Sequence, residues 1–330
     1  MAQEEAFKEG QPHHIDNRLQ FFPIMMFAIV MGVSGLTIAW QKAATWLHTP
    51  HIINQSLVYV SSALFVAIAS TYLVKLVVHP KEVAEEWHHP VRINFFSAIS
   101  ISLLMLSIIY HDAHWMTLAQ YAWIAGTLMH TYMTLYTISF WIGHNQEIAH
   151  SNPAWFIPVV GNMLVPVAGV GFAPTAILMY FFSVGLFFWV ILFAILLNRI
   201  IFHHQLPQKF MPTLFILLAP PAVAFIAYFK LYHHVDAFAL FLFNVAVFFA
   251  LMLVYMSRSF FGLKFFISWW AFIFPVAAMA IASMVMFHVT KSVWMLYTSY
   301  GVLAAATLMT LIVLYQTLRH MAIGEICIQE

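Results

Sequence analysis

Charged residues are scarce in this chain. Asp, Glu, Lys and Arg make up 8% of its 330 residues, whereas 63% are hydrophobic. A soluble globular domain carries about 25% charged residues, so the composition excludes that class and predicts an integral membrane protein in a lipid bilayer. The net charge of +1 and the lack of a basic run give no indication of nucleic acid as a partner.

Residues that could hold a metal or a cofactor are also few. The single cysteine, Cys327, cannot form a disulfide within the chain. His111, Asp112 and His114 are close in sequence, but two sequential ligands do not define a metal site. His130 is the only histidine near the centre of an apolar stretch, and one histidine cannot supply both axial ligands of a membrane haem. We therefore expect no metal, no cofactor and, because no acid, base and nucleophile fall together within the stretches, no enzyme.

Ten apolar stretches do occur, each near the ~20 residues that cross a bilayer. They predict membrane helices at 21–41, 52–78, 91–111, 115–143, 154–172, 174–198, 211–232, 235–257, 264–288 and 291–319. The predicted organisation is a cytoplasmic N-terminal arm at 1–20, a ten-helix membrane domain at 21–321 and a cytoplasmic tail at 322–330. Lys and Arg number ten on the side of the termini and three on the other, which predicts that both termini are cytoplasmic.

Prolines alternate along these stretches. A proline within a membrane helix removes a backbone hydrogen bond and bends the helix, which is tolerated where protein or a water-filled cavity satisfies the freed carbonyl. The predicted helix kinks all lie in odd-numbered stretches, at Pro23, Pro158, Pro166, Pro220, Pro221 and Pro275. The third stretch has Asn94 and several serines instead, and serine can bend a helix by bonding back to its carbonyls. The pattern predicts an all-α fold of five helical hairpins, with bent inner helices around a central pore and straight outer helices around them.

Charge is also missing from the middle of every stretch. All twelve acidic residues lie in loops, tails or within a turn of a predicted helix end. Proton-coupled pumps usually place an ionisable group at mid-membrane, so this arrangement favours passive permeation, with anions favoured by the lack of negative rings. A coupled carrier stays open as the alternative. We interpret His130 as a buried, hydrogen-bonded histidine.

Phe274 stands out among 32 phenylalanines because it directly precedes Pro275 in SWWAFIFPVAAMA. A ring on a bent inner helix can close a narrow pore, since an apolar constriction blocks ions by dewetting. Packing in a core is the other interpretation of the same residue.

Four segments, in order, resemble one family of transporters. The first stretch reads RLQFFPIMMFAIVMGVSGLTIAW, the fifth PAWFIPVVGNMLVPVAG, the seventh FILLAPPAVAFIAY and the ninth SWWAFIFPVAAMAIAS. Together they resemble the tellurite-resistance/dicarboxylate transporter (TDT) family, which includes bacterial tellurite-resistance protein A, the plant guard-cell slow anion channel and fungal malate and sulfite transporters.

The resemblance implies a homotrimer in the cell (inner) membrane, in which each protomer has its own pore. It implies that five inner helices line this pore and that Phe274 closes it near mid-membrane. Phe27, Phe96 and Phe215 map onto aromatic, pore-lining positions of inner helices. Two functions stay open: a channel for small anions such as chloride or nitrate, and a carrier or exporter of C4-dicarboxylates, sulfite or oxyanions such as tellurite.

Overall fold

The computed structural model describes residues 18–203 and 206–327. This part of the chain is helical, with one isolated bridge between Val170 and Ala173 and no strand. The prediction of an all-α membrane protein is therefore confirmed. Of the predicted arm and tail, only residues 18–20 and 322–327 are described, so these two predictions fall largely outside the described residues.

Twelve α-helices make up the described part of the chain. They are α1 (Phe27–Trp46), α2 (His51–Val78), α3 (Pro80–His88), α4 (Ser97–Asp112), α5 (Met116–Gly143), α6 (Phe156–Val160), α7 (Leu164–Gly169), α8 (Thr175–Phe202), α9 (Ala219–Tyr232), α10 (Ala237–Tyr255), α11 (Ile273–Thr290) and α12 (Val293–Ala322). Eight helical segments in this part are long and apolar enough to cross a membrane. The other two predicted stretches correspond to α5 and to a shorter, broken segment at Pro153–Gly169.

Burial separates the segments into two classes. In four segments, between 78% and 89% of an 18-residue apolar stretch is buried inside the protein. These segments are Ile24–Trp46, Arg92–Asp112, Gln208–Tyr232 and Ile267–Thr290. Every residue of Pro153–Gly169 is buried as well. In α2, α8, α10 and α12 the share is only 22% to 33%, and α5 is likewise mostly exposed. We call the first five the inner segments and the other five the outer helices.

The inner segments pack side by side in a closed ring. Helix α1 contacts α4 and α11, α4 contacts α7, α7 contacts α9, and α9 contacts α11. Each inner segment also packs against the outer helix that follows it in the chain. The inner segments therefore surround a common axis.

Each inner segment contains a 3-10 stretch before its longest α-helical part. These stretches are Ile24–Met26, Arg92–Phe96, Gly161–Met163, Gln208–Leu217 and Ile267–Phe272. The outer helices α2, α5, α8, α10 and α12 are continuous α-helices. A 3-10 helix keeps its backbone hydrogen bonds, in the i→i+3 pattern, so the change of geometry leaves the membrane-buried backbone satisfied.

The predicted kink prolines lie within a few residues of these changes of geometry. Pro23 directly precedes a 3-10 turn, and Pro220 and Pro221 open α9. Pro275 is in the first turn of α11, where no intrahelical donor is needed. Pro158 and Pro166 lie within the two short helices α6 and α7 of the broken segment.

The inner segment at Arg92–Asp112 makes the same change without an internal proline. Its Asn94 side chain donates hydrogen bonds to the carbonyls of Pro90 and Val91, both at 3.2 Å. Side-chain bonding to the backbone competes with regular helical pairing at this end of the segment. The 3-10 stretch of an inner segment is therefore accompanied by proline in four segments and by side-chain bonding to the backbone in this one.

All five inner segments are followed by a residue in the left-handed conformation. These residues are His48, His114, Gly171, His233 and Lys291. Such a residue ends a helix and reverses the chain, and glycine is usual there because a side chain costs energy. The same backbone feature therefore recurs at the end of each inner segment.

Helix α3 and a buried ion pair were not predicted. Lys75, 1% exposed, donates to the Glu86 carboxylate at 3.0 Å and to the Phe22 carbonyl at 2.8 Å. Glu86 also accepts from the Tyr72 hydroxyl at 2.7 Å and from the Ile24 backbone at 3.2 Å. This network fixes the start of the first inner segment against α2 and α3.

We expect Lys75→Met to destabilise the fold. Removing one partner of a buried ion pair leaves the other charge unpaired at a cost of about 3–5 kcal/mol. The melting temperature of detergent-solubilised protein should fall by roughly 5–10 °C. Lys81→Met, at an exposed position of α3, is the matched control and should leave it unchanged. Equal melting of Lys75→Met and the parent would contradict the anchoring role of the pair.

Candidate functional site

Two cavities lie along the axis of the ring of inner segments. The first, of about 80 Å³, is lined by residues near the beginning of all five, and we call it the N-terminal cavity. Representative wall residues, one from each segment, are Met25, Phe95, Phe156, Thr213 and Ile267. A single water needs roughly 10–15 Å³, so this cavity has room for several small solutes or waters.

The second cavity, of about 40 Å³, is lined by residues nearer the ends of the same segments, and we call it the C-terminal cavity. Its wall includes Ile38, Ile108, Val167, Ile226 and Ile281. Because early residues line one cavity and late residues line the other, the five inner segments run parallel. The two cavities therefore lie one after the other along a shared axis.

Three residues belong to the walls of both cavities: Phe274, Leu164 and Val223. They come from α11, α7 and α9 and form the partition between the two spaces. Phe274 has the largest side chain of the three and is half-buried. Its ring is therefore the largest group shared by the two walls.

Helix α1 approaches the partition closely through two glycines. A Cβ atom at Gly35 would lie 3.1 Å from Cδ2 of Phe274, and one at Gly32 would lie 2.9 Å from Cε3 of Trp270. Trp270 is itself held by a 3.0 Å hydrogen bond from its Nε1 to Oγ1 of Thr317. Because these two glycines have no side chain, the rings of Phe274 in α11 and Trp270 in the preceding 3-10 stretch can pack directly against α1.

The N-terminal cavity has an apolar wall. Its two hydroxyl side chains, Thr213 and Ser268, donate to the carbonyls of Phe210 and Lys209, at 2.6 and 2.5 Å. Their hydrogen atoms are therefore committed to the backbone. A bare ion would find little to replace its hydration shell, which is the property of a hydrophobic constriction.

Charged side chains line only the C-terminal cavity. Lys42 and Lys230 are in its wall, at the ends of α1 and α9. Lys42 pairs with Asp112, with 2.6 Å between Nζ and Oδ2, and the other carboxylate oxygen of Asp112 lies 3.8 Å from Nδ1 of His111. Within the described residues Lys230 has no carboxylate at ion-pair distance.

Three of the predicted pore-lining aromatics lie outside both cavity walls. Phe27 packs edge-on against Phe65 and Tyr72, and Phe96 packs against Tyr72 and Trp87. These rings fill the space between inner segments and outer elements, behind the wall. They therefore line neither cavity in this structure, and their place along a pore stays a prediction.

Phe215 is the third such residue, and it packs against Phe260 and Phe272. Aromatic residues that do line the N-terminal cavity are Phe95, Phe156, Trp270 and Phe274. The resemblance gave positions along the inner segments but not faces, and in a 3-10 stretch each residue turns by about 120° rather than about 100°. Of the four phenylalanines singled out in the sequence, Phe274 is the one in the cavity walls, and its role as a gate stays a prediction.

His130 lies directly behind the N-terminal cavity. It is fully buried, and its Nδ1 is 2.9 Å from the Ser100 hydroxyl, which itself donates to the Ser97 carbonyl. A Cβ atom at Gly161, a wall residue, would lie 2.6 Å from Cε1 of His130. The interpretation of His130 as a buried, hydrogen-bonded histidine agrees with this geometry. No group of three His, Cys, Asp or Glu side chains within 18–203 and 206–327 could hold a metal.

Comparisons with known proteins match most of the chain. Residues 21–318 match the family described as voltage-dependent anion channel, SLAC1. S-type anion channel SLAH3 of Arabidopsis thaliana is 31% identical over 306 residues, covering 91% of this chain and 48% of the plant protein. The tellurite resistance protein TehA homolog of Haemophilus influenzae is 28% identical over 284 residues, covering 83% of this chain and 85% of that protein.

A third relative is the uncharacterized transporter MJ0762 of Methanocaldococcus jannaschii. It is 24% identical over 329 residues, covering 92% of this chain and 96% of that protein. The chain spans about half the length of SLAH3 and of the guard cell S-type anion channel SLAC1 of Arabidopsis thaliana.

We expect Gly161→Ala to lower stability, because the new methyl group would overlap the His130 ring. Overpacking of this kind typically costs about 1–3 kcal/mol. The loss should appear as a lower melting temperature, and His130→Ala in the same protein should recover part of it. Gly301→Ala, where no heavy atom lies within 4 Å of the added Cβ, is the control and should not destabilise. A stable Gly161→Ala protein would show that the contact is easily relieved.

Proposed function

Because the chain belongs to the SLAC1 family of voltage-dependent anion channels, we propose that it conducts small anions along the axis of its inner segments. The proposed path runs from the N-terminal cavity, past Phe274, into the C-terminal cavity. Phe274 is the proposed gate. The chain would act by conduction and not as an enzyme.

One observation carries the gate proposal: the Phe274 ring is in the wall of both cavities. Displacing a single ring would join two spaces that already exist, without moving a helix. The neighbouring wall residues Leu164 and Val223 are apolar, so the closed partition would stay dry. The ring position next to Gly35 also gives it a neighbour without a side chain.

Two features support anions as the conducted species. The charged residues in the cavity walls are the lysines Lys42 and Lys230, and the nearby carboxylate of Asp112 is paired with Lys42. A wall with this net positive charge attracts anions and repels cations. The names of the plant relatives, S-type anion channels, point to the same class.

A carrier or exporter of C4-dicarboxylates, sulfite or oxyanions such as tellurite is the second candidate. The similarity to the TehA homolog of Haemophilus influenzae favours it. The closed partition between two cavities is compatible with a carrier, because each cavity could open to one side in turn. Dependence of transport on a second gradient separates the two candidates.

We further propose that the chain crosses the membrane ten times, as five hairpins. Both termini would be cytoplasmic, and the membrane would be the cell (inner) membrane. The five left-handed turns and the pairing of each inner segment with the next outer helix support the hairpins. The Lys and Arg bias supports the orientation. The many large apolar side chains exposed on the outer helices, such as Phe187, Phe248 and Tyr315, would face lipid or the other subunits of a homotrimer.

We expect Phe274→Ala to fold and to conduct anions several-fold more than the parent, because loss of the ring removes the partition and lets water enter. Selectivity against cations should persist, since the lysines remain. The measurement is planar-bilayer recording with purified protein. A well-folded Phe274→Ala protein that is as silent as the parent at every voltage would contradict the gate assignment.

Phe272→Ala is the matched control for this experiment. Phe272 is 7% exposed and packs against Phe215 and Phe260, away from both cavities. Its truncation should cost about 3–5 kcal/mol of stability. Conductance per folded protein should stay near the parent level, so the two variants separate a gate from a packing residue.

Anion movement should not need a proton gradient, because no carboxylate lines either cavity and the lysines in the wall, Lys42 and Lys230, lie towards the ends of their segments. Reconstituted vesicles given an anion gradient at equal pH on both sides should show anion flux with no internal pH change. Flux that occurs only with an imposed pH gradient, accompanied by protons, would favour the carrier. His130, buried behind the cavity wall, would then be the first residue to replace.

A further inference from the structure

We propose that the C-terminal cavity contains a binding site for one small monovalent anion, formed by Lys230. The Lys42–Asp112 pair keeps the net charge of this site at one positive charge, which disfavours dianions. This inference rests on the proposed function and adds a substrate class and a specificity determinant to it. The gate at Phe274 is a separate element on the other side of the same cavity.

The position of Lys230 is the first observation. It lies in the last turn of α9, half-buried, and is part of the cavity wall. The rest of that wall is apolar except for Lys42, so Lys230 is where a dehydrated anion could find a counter-charge. Within the described residues no carboxylate pairs with Lys230, whereas Lys42 is bound to Asp112 at 2.6 Å.

The charge balance is the second observation. With His111 neutral, Lys42, Lys230 and Asp112 sum to a single positive charge. These three groups are close enough to interact with one another electrostatically. One monovalent anion would neutralise the site, whereas a dianion would leave an excess negative charge in an apolar space and would face the fixed carboxylate of Asp112.

The size of the space is the third observation. The cavity volume is about 40 Å³, and a single water needs roughly 10–15 Å³. A halide or nitrate is comparable with one to a few waters. A C4-dicarboxylate, with four carbons and two carboxylates, would have to displace wall side chains such as Ile38, Ile226 and Ile281. Size and charge therefore exclude the same ligands.

A lysine in the last turn of a helix also interacts favourably with the helix dipole, which is a purely structural role. Lys291 provides the matched control for that role. It directly follows α11, at the same end of a neighbouring inner segment, but it is exposed and outside the wall of the cavity. A dipole role predicts similar effects for Lys230→Gln and Lys291→Gln, whereas a binding site predicts an effect of Lys230→Gln alone.

The experiment is a titration of detergent-purified, full-length protein with nitrate at constant ionic strength, using gluconate as the replaced anion and the melting temperature as the readout. Lys230→Gln should raise the half-saturating nitrate concentration at least about fivefold, the factor for one unit charge at 4 Å in a water-like dielectric. Asp112→Asn should lower it by a similar factor. Lys291→Gln should leave it unchanged, and Lys230→Arg should retain binding and show that the position tolerates substitution.

Sulfate in place of nitrate tests the charge rule. The parent should not be stabilised by sulfate beyond the gluconate control, and Asp112→Asn, with one more net positive charge, should gain stabilisation. Equal saturation of the parent by sulfate and nitrate would overturn the exclusion of dianions. Unchanged nitrate binding in Lys230→Gln would overturn the site.

The titration does not depend on conduction, so the two proposals can fail separately. If Phe274→Ala conducts but Lys230→Gln binds nitrate as the parent does, the site is wrong and the channel stands. If Lys230→Gln loses binding while Phe274→Ala stays silent, the site stands and the proposed gate is wrong.

Discussion

Backbone hydrogen bonding within an apolar environment is the constraint on which the rest of this structure depends. A segment that crosses a bilayer must pair its own N–H and C=O groups, and the five inner segments do so while leaving ideal α geometry. They change between i→i+3 and i→i+4 pairing, with prolines within a few residues of the change in four segments and Asn94 in the 3-10 stretch of the other. The closed ring of inner segments then buries these irregular stretches against protein, so that the outer helices present regular α-helix to their surroundings.

The architecture could be predicted from the sequence because it repeats. The ends of the predicted stretches differ from the helical segments by a few residues, and the prolines correctly marked the buried members of the alternation. Phe274 could be predicted as an axial residue because the proline that follows it fixes its place at the start of α11. Helix α3 was missed because its Lys, Glu and His residues resemble an ordinary polar loop.

Side-chain direction was harder to predict than position. Phe27, Phe96 and Phe215 lie on inner segments as expected, but they pack behind the cavity walls. Helical phase depends on whether a residue follows 3-10 or α geometry, and composition does not reveal where one becomes the other. The pairing of Lys42 with Asp112, 70 residues away, also depends on the closure of the ring, which no local pattern reports.

The 3-10 stretches have a mechanical consequence. A 3-10 helix advances about 2.0 Å and turns about 120° per residue, whereas an α-helix advances about 1.5 Å and turns about 100°. Each residue that converted from 3-10 to α geometry would shorten a segment by about 0.5 Å and rotate everything beyond it by about 20°. The 3-10 stretch Ile267–Phe272 ends two residues before Phe274, so a change of its geometry would turn the start of α11 and the Phe274 ring with it. Conversion of only two or three residues would swing that ring through an appreciable arc while α11 kept its hydrogen bonds.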